Sequence, residues 1–169
     1  GISQKSLLKK FPNLIIASCS GFGQTGPWAK KPAYDVIVQA LGGIMSLTGY
    51  ENQDPVRVGS SIGDICAGLF TTIGIQTAII ERKKTGKGSL IDVSMLDCQI
   101  AILENAISRF YCEKTIPKKL GSRHPSISPF EAYKCKDNYL VLAAGNNNLF
   151  EKLCRCLNIT TLLEKDDFK

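Results

Sequence analysis

GSSIGDICAGLFTTIGIQTAIIERKKTGKGSLIDVSMLDC, residues 59–98, decides how this chain folds. From Ile65 to Ile80 apolar and small residues dominate, broken only by Gln76 and threonines. The run is short for a bilayer span and reads as a buried helix, opened by Asp64 and continuing to about Lys84. Asp at the start of such a helix is a common N-cap, because its oxygen accepts a free amide of the first turn. Thr85-Gly86-Lys87-Gly88 stops the helix. Gly68 and Gly74 lower helix propensity, and close approach of another backbone would explain them. SLIDV, residues 89–93, then reads as a strand.

Upstream, NLIIAS at 13–18 lies between Pro12 and a run of glycines and predicts a fully buried strand of a parallel sheet. Residues 4–11 predict a helix ending before Pro12. After the loop SGFGQTGP (20–27), Tyr34 to Leu47 has helical spacing at Ile37, Ala40, Leu41, Ile44 and Met45. Residues 49–61 are polar and turn-rich. Downstream, Met95 to Tyr111 predicts one helix with Leu96, Ile100, Leu103 and Ile107 on a face. Residues 112–129 carry prolines and no period. Two short strands, Phe130–Cys135 and Tyr139–Ala144, follow around Lys136-Asp137-Asn138, then a helix from about Asn147 to Leu157. The order predicts an α/β segment followed by the start of a second unit, with the boundary near 113–128.

Composition limits the alternatives. Of the 169 residues, 44% are apolar and 21% charged, which suits a globular chain with a core. Net charge is +6, but the cations sit in short clusters such as Lys9-Lys10, Lys30-Lys31 and Arg82-Lys83-Lys84. With no long basic run and no aromatic interleaving, nucleic acid is not the expected partner. Seven cysteines, an odd number without a C-x-x-C pair, point to a reducing compartment and away from a metal site or disulfide scaffold. The chain starts without Met and passes directly from a helix into a strand, so it is expected to begin inside a larger protein.

Four places could carry chemistry. The glycines of SGFGQTGP allow close backbone approach and could hold an anion, although the spacing matches neither the dinucleotide nor the Walker pattern and an ordinary strand-to-helix turn is the better reading of the loop taken alone. Asp64 is either a cap or a nucleophilic carboxylate, and the positive end of a helix suits both. Lys30-Lys31-Pro32-Ala33-Tyr34 could meet phosphates and an aromatic base, or be a solvated loop with a core tyrosine. His124, the single histidine, follows Arg123 in a loop with no nucleophile elbow nearby and reads as structural.

In this order, SGFGQTGPWAKKPAYDVIVQALGGIMSLTG, PVRVGSSIGDICAGLFTTIGIQTAIIERKKTGKGSLIDVSMLDC and GSRHPSISPFEAYKCKDNYLVLAAGNNNLF resemble the class III CoA-transferases, the group of formyl-CoA and carnitine CoA-transferases. The resemblance runs from about residue 8 to the end and looks closest to the succinyl-CoA:glutarate branch. It implies that the chain is an internal piece. Residues 1–112 would be part of a large CoA-binding and catalytic domain, 113–128 a linker, and 129–169 the start of a small α+β domain.

The resemblance also implies the chemistry. An aspartate matching Asp64 would attack an acyl-CoA to give a mixed anhydride, which CoA thiolate would convert to an aspartyl-CoA thioester. An acceptor carboxylate, such as succinate or glutarate, would then reverse the steps. Lys30 or Lys31 would meet CoA phosphates, and Pro32, Ala33 and Tyr34 would line the pocket. Acyl-CoA would be a substrate, with no prosthetic group and no metal. A homodimer of interlinked chains is implied, with no membrane or nucleic-acid partner, in the cytoplasm or, in a eukaryote, the mitochondrial matrix. A later glycine-rich loop of the family has no counterpart here. The alternative is a remnant that binds CoA or self-associates without turnover.

Overall fold

The computed structural model describes residues 3–165 and divides them into two compact units. The first comprises the chain up to Thr48 together with Asp54–Lys118; the second comprises Gly49–Gln53 and the chain from Lys119 onward.

In the first unit, α1 (Gln4–Lys10) leads into β1 (Ile16–Ser20), which pairs in parallel with β2 (Leu90–Ser94), Ile16 opposite Leu90 and Ser20 opposite Ser94. Between them come α2 (Asp35–Leu41), α3 (Ile44–Leu47) and α4 (Ile62–Thr85), and after β2 come α5 (Met95–Ala101) and α6 (Asn105–Glu113). The two backbones cross tightly before the strands pair. Gly88 N–H donates to Pro12 O at 2.8 Å, and a Cβ on Gly88 would sit 1.8 Å from Leu14 O. Any side chain at residue 88 would have to displace the backbone there.

The core joins the faces of four elements. Val38 of α2, Cys66 and Ala67 of α4, Val93 of β2, and Met95 and Cys98 of α5 form one buried cluster. Small residues on α4 let α2 and α5 come close, and the two cysteines act as small hydrophobes. Burial pushes the Cys66 and Cys98 thiols up from their ordinary pKa, because a thiolate there would be desolvated. Complete burial of Val38, at 0% exposure, is worth roughly 1.5–3 kcal/mol.

Several expectations are corrected. The first strand is Ile16–Ser20, not 13–18, and its residues alternate between half-buried and exposed. Ala17 and Cys19 are exposed, so one face of the strand is open, and among the described residues its one neighbouring strand is β2. The segment 34–47 breaks at Gly42-Gly43, where Gly43 has φ +92. Its buried face is Asp35, Val38 and Gln39, while Ile37 and Leu41 are exposed. The helix expected over 95–111 breaks at Ile102–Glu104, where Glu104 has φ +52, a value uncommon for a non-glycine residue.

Helix α4 differs most. It starts at Ile62 and keeps Gly86 as its left-handed cap, but only Gly63, Cys66, Ala67 and Ala78 are buried. Leu69 is 60% exposed and Ile73 57%, so the expectation of a buried helix does not hold in this chain. By length and composition alone this helix is long and apolar enough to cross a membrane, as core helices of globular proteins also can be. No atom lies within 4 Å of a Cβ placed on Gly68, and at Gly74 the close neighbour is the Ile91 side chain rather than a backbone.

In the second unit β3 (Phe130–Lys134) pairs antiparallel with β4 (Tyr139–Ala143), and Cys135 N–H donates to Asn138 O across the turn at 2.7 Å. Helix α7 (Asn147–Cys156) is capped by Asn146 Oδ1, which accepts from Leu149 N–H. A 3₁₀ turn at Thr160–Glu164 follows. The segment Gly49–Gln53 joins this unit through Gly121 N–H to Gly49 O and Lys119 Nζ to Gln53 O.

Candidate active site

The start of α4 is built differently from the sequence expectation. Ser61, not Asp64, occupies the N-cap position, and Ile65 N–H donates to Ser61 O at 3.0 Å. Asp64 lies in the first helical turn, exposed, and makes no side-chain hydrogen bond or ion pair among the described residues. A carboxylate there complements the partial positive charge of the helix end without being spent on a cap.

Gly63 is enclosed rather than open. A Cβ there would lie 2.7 Å from Val38 Cγ2 and 3.0 Å from Asp35 Oδ1. Its N–H donates to Asp35 Oδ1 at 2.8 Å. First-turn amides have no partner inside the helix, so this bond satisfies one of them from a neighbouring helix. The second oxygen of Asp35 accepts from Gln39 Nε2 at 2.8 Å, and Gln39 Oε1 accepts from Val58 N–H at 2.8 Å. Gln39 is fully buried and Asp35 nearly so. Sequence reasoning missed both. Their only local sign is an acidic residue and a glutamine at i and i+4 behind Tyr34, a spacing that places them on one helix face. The Arg57 guanidinium, half exposed, reaches within 4.0 Å of Asp35 Oδ2, a weak pair at that separation and exposure.

Segment 30–34 leads directly into this arrangement. Lys30, Lys31 and Pro32 are exposed. Lys31 Nζ stands 4.7 Å from the centre of the Trp28 ring, and Lys31 N–H closes a turn onto Trp28 O at 2.8 Å. Ala33 packs against Gly21, where a Cβ would lie 2.5 Å from Ala33 Cβ. Tyr34, 80% exposed, is the N-cap residue of α2 and is not a core tyrosine. The fold thus brings Lys30–Tyr34 and Gly63-Asp64 to the starts of two packed helices that are tied by the Asp35–Gly63 bond.

The glycine-rich loop contributes less than its composition suggests. Gln24 N–H is already bonded to the Asp92 carboxylate at 2.8 Å, so this amide is not open to an external anion. His124 has a structural place: its Nδ1 accepts from Ser126 N–H and Ile127 N–H, and its ring lies against Phe130. Arg123 belongs to the second unit, in an open cavity of about 710 Å³ that Tyr50, Glu131 and Tyr139 also line. Among the described residues no cluster of His, Cys, Asp and Glu could hold a metal ion.

The model of CoA-transferase family III matches residues 1–169. The chain belongs to this family. It is 46% identical over 155 residues to an acetyl-CoA:oxalate CoA-transferase of Acetobacter aceti, with 91% of this chain and 40% of that protein covered. It is 36% identical over 169 residues to the human succinyl-CoA:glutarate CoA-transferase, covering 100% of this chain and 39% of that protein. A crystal structure of a CaiB/BaiF family protein from Brucella suis superposes with a TM-score of 0.80 at 38% identity, over 99% of this chain and 44% of the other. A Mycobacterium tuberculosis protein, 21% identical with a TM-score of 0.84, shares the fold. The chain therefore spans about 40% of the length of the curated relatives it matches.

Proposed function

We propose that the chain forms part of a CoA-transferase in which the Asp64 carboxylate carries the acyl group. An Asp64 oxygen attacks the thioester carbon of an acyl-CoA. The new C–O bond makes a mixed anhydride, and the C–S electron pair leaves as CoA thiolate. The thiolate then attacks the Asp64 carbonyl of the anhydride, releasing the donor acid as its carboxylate and leaving an aspartyl-CoA thioester. An acceptor carboxylate runs these steps in reverse and departs as the new acyl-CoA. Covalent catalysis of this kind splits one difficult exchange into easier ones. The observation that carries this reading is the placement of Asp64, exposed and unpaired in the first turn of a helix whose start is fixed from α2.

The acceptor is a short dicarboxylate; relatives at 46% and 36% identity are named for oxalate and glutarate. Residues 1–112 belong to the catalytic domain and 129–169 begin the small one, joined by 113–128. The protein works as a homodimer, a reading supported by the exposed apolar stripe of α4. A reducing compartment, cytoplasm or mitochondrial matrix, suits three cysteines buried as thiols. Lys30 and Lys31 hold CoA phosphates while Pro32, Ala33 and Tyr34 shape the pocket, a reading supported by the exposure of all but the half-buried Ala33.

Transfer assays on the full-length protein test this reading, with acetyl-CoA or succinyl-CoA as donor and oxalate or glutarate as acceptor. Replacing Lys30 and Lys31 together by Ala is expected to raise the acyl-CoA KM by roughly tenfold at low salt, and by less as salt screens the contacts. An unchanged KM removes both lysines from the CoA site, and no transfer with any of these pairs removes the proposed substrate class.

A further inference from the structure

Asp35 and Gln39 form a buried hydrogen-bond chain with a fixed polarity. Val58 N–H donates to Gln39 Oε1, Gln39 Nε2 donates to Asp35 Oδ2, and Gly63 N–H donates to Asp35 Oδ1, each at 2.8 Å. The two ends are backbone amides on either side of the turn before α4. The order of donors leaves no freedom. Gln39 cannot flip its amide without setting its NH₂ against Val58 N–H, and Asp35 must accept at both oxygens. Gln39 also reaches Ser60 O with Nε2 at 3.4 Å, touching a third point on the same turn. Neither residue can relax toward water, because Gln39 is 0% exposed and Asp35 9%. Gly63 lies closely against α2, because Val38 and Asp35 fill the space where a Cβ would be.

We infer that Asp35, backed by Gln39, is a positioning residue for Asp64: it holds the Gly63 amide and so fixes where the next residue presents its carboxylate. The inference rests on the reading that Asp64 reacts with acyl-CoA. Asp35 does not touch substrate. Its effect reaches the reaction through one peptide unit, and a carboxylate displaced by about 1 Å from its line of attack can lose on the order of 100-fold in rate.

The test is the single-turnover rate of acyl or CoA adduct formation at Asp64, per folded molecule, in the full-length protein. In Asp35→Asn the new NH₂ faces either Gln39 Nε2 or Gly63 N–H, and one bond is lost. The rate is expected to fall roughly 10–100-fold, with the acyl-CoA KM within about threefold of the original. Combining Asp35→Asn with Gln39→Glu restores the three 2.8 Å bonds of the chain and gives up only the longer contact to Ser60 O. The new amide at position 35 accepts from Gly63 N–H and donates to the new carboxylate at position 39, which also accepts from Val58 N–H. This double variant is expected to recover most of the lost rate. A structural role alone would lower the melting temperature and leave the rate per folded molecule unchanged, and that result overturns the inference. So does a double variant that regains stability but not rate. If the variants do not fold, residue-resolved amide exchange in the unmutated protein tests the bond on which the inference stands. Gly63 must exchange more slowly than Asp64, the next first-turn amide, and equal rates overturn the inference. An unmutated protein that forms no adduct at Asp64 overturns both this inference and the function on which it rests.

Discussion

Asp64→Asn in the full-length protein is expected to keep its fold and lose CoA transfer by at least about 10³-fold, because an amide cannot form the anhydride. The structure sharpens this expectation. Were Asp64 the N-cap, removing its side chain would cost roughly 0.5–2 kcal/mol. Ser61 is the cap, and Asp64 stands three residues further on, exposed. The stability loss in Asp64→Asn is therefore limited to the interaction with the helix end, about 0.3–1 kcal/mol. Asp64→Ala should behave alike, since no cap bond is lost and Ala favours the helix. Melting curves and transfer rates on the same preparations check this, with the mass confirming Asn at residue 64. Transfer above about 1% of the original rate in Asp64→Asn would contradict the assigned role.

Gly63→Ala is expected to damage both stability and transfer, although Ala is the better helix former by about 1 kcal/mol. The added methyl would meet Val38 Cγ2 at 2.7 Å and Asp35 Oδ1 at 3.0 Å. Val38 is in the centre of the core and cannot yield without disturbing Cys66 and Ala67. Overpacking of this kind costs roughly 1–3 kcal/mol. Relief by tilting the first turn of α4 would stretch the Gly63–Asp35 bond and move Asp64, so transfer should fall by roughly tenfold or more per folded molecule. A variant with the original melting temperature and rate would show that the two helices are not held at this contact.

Much of this arrangement was legible in the sequence because its signals are local. The stop at Gly86, a strand close behind it and the hairpin around Lys136-Asp137-Asn138 all follow from glycine, turn-residue and apolar patterns, whereas the parallel pairing of that strand with β1 is seen only in the fold. The resemblance placed Asp64 and Lys30–Tyr34 in one site, and the fold sets both segments at the starts of α2 and α4. The phase of α2 was not legible. Apolar spacing put Ile37 and Leu41 inside, whereas the buried face carries Asp35 and Gln39, whose burial depends on amides 19 and 28 residues away. The break after Ala101 was hidden for a similar reason, since Leu96, Ile100, Leu103 and Ile107 keep the helical period across it while Glu104 turns to positive φ. The exposed stripe of α4 reads as core in sequence because apolar composition on nearly every face does not say which face the rest of the chain covers.

Hydroxylamine trapping addresses the acyl-carrying role of Asp64 most directly. The full-length protein is incubated with succinyl-CoA, quenched with hydroxylamine, digested and mapped by mass spectrometry. An activated carboxylate at Asp64 should appear as a hydroxamate on the peptide containing residues 59–82, dependent on succinyl-CoA and absent from Asp64→Asn. A hydroxamate on another carboxylate, or none while CoA transfer proceeds, would contradict it.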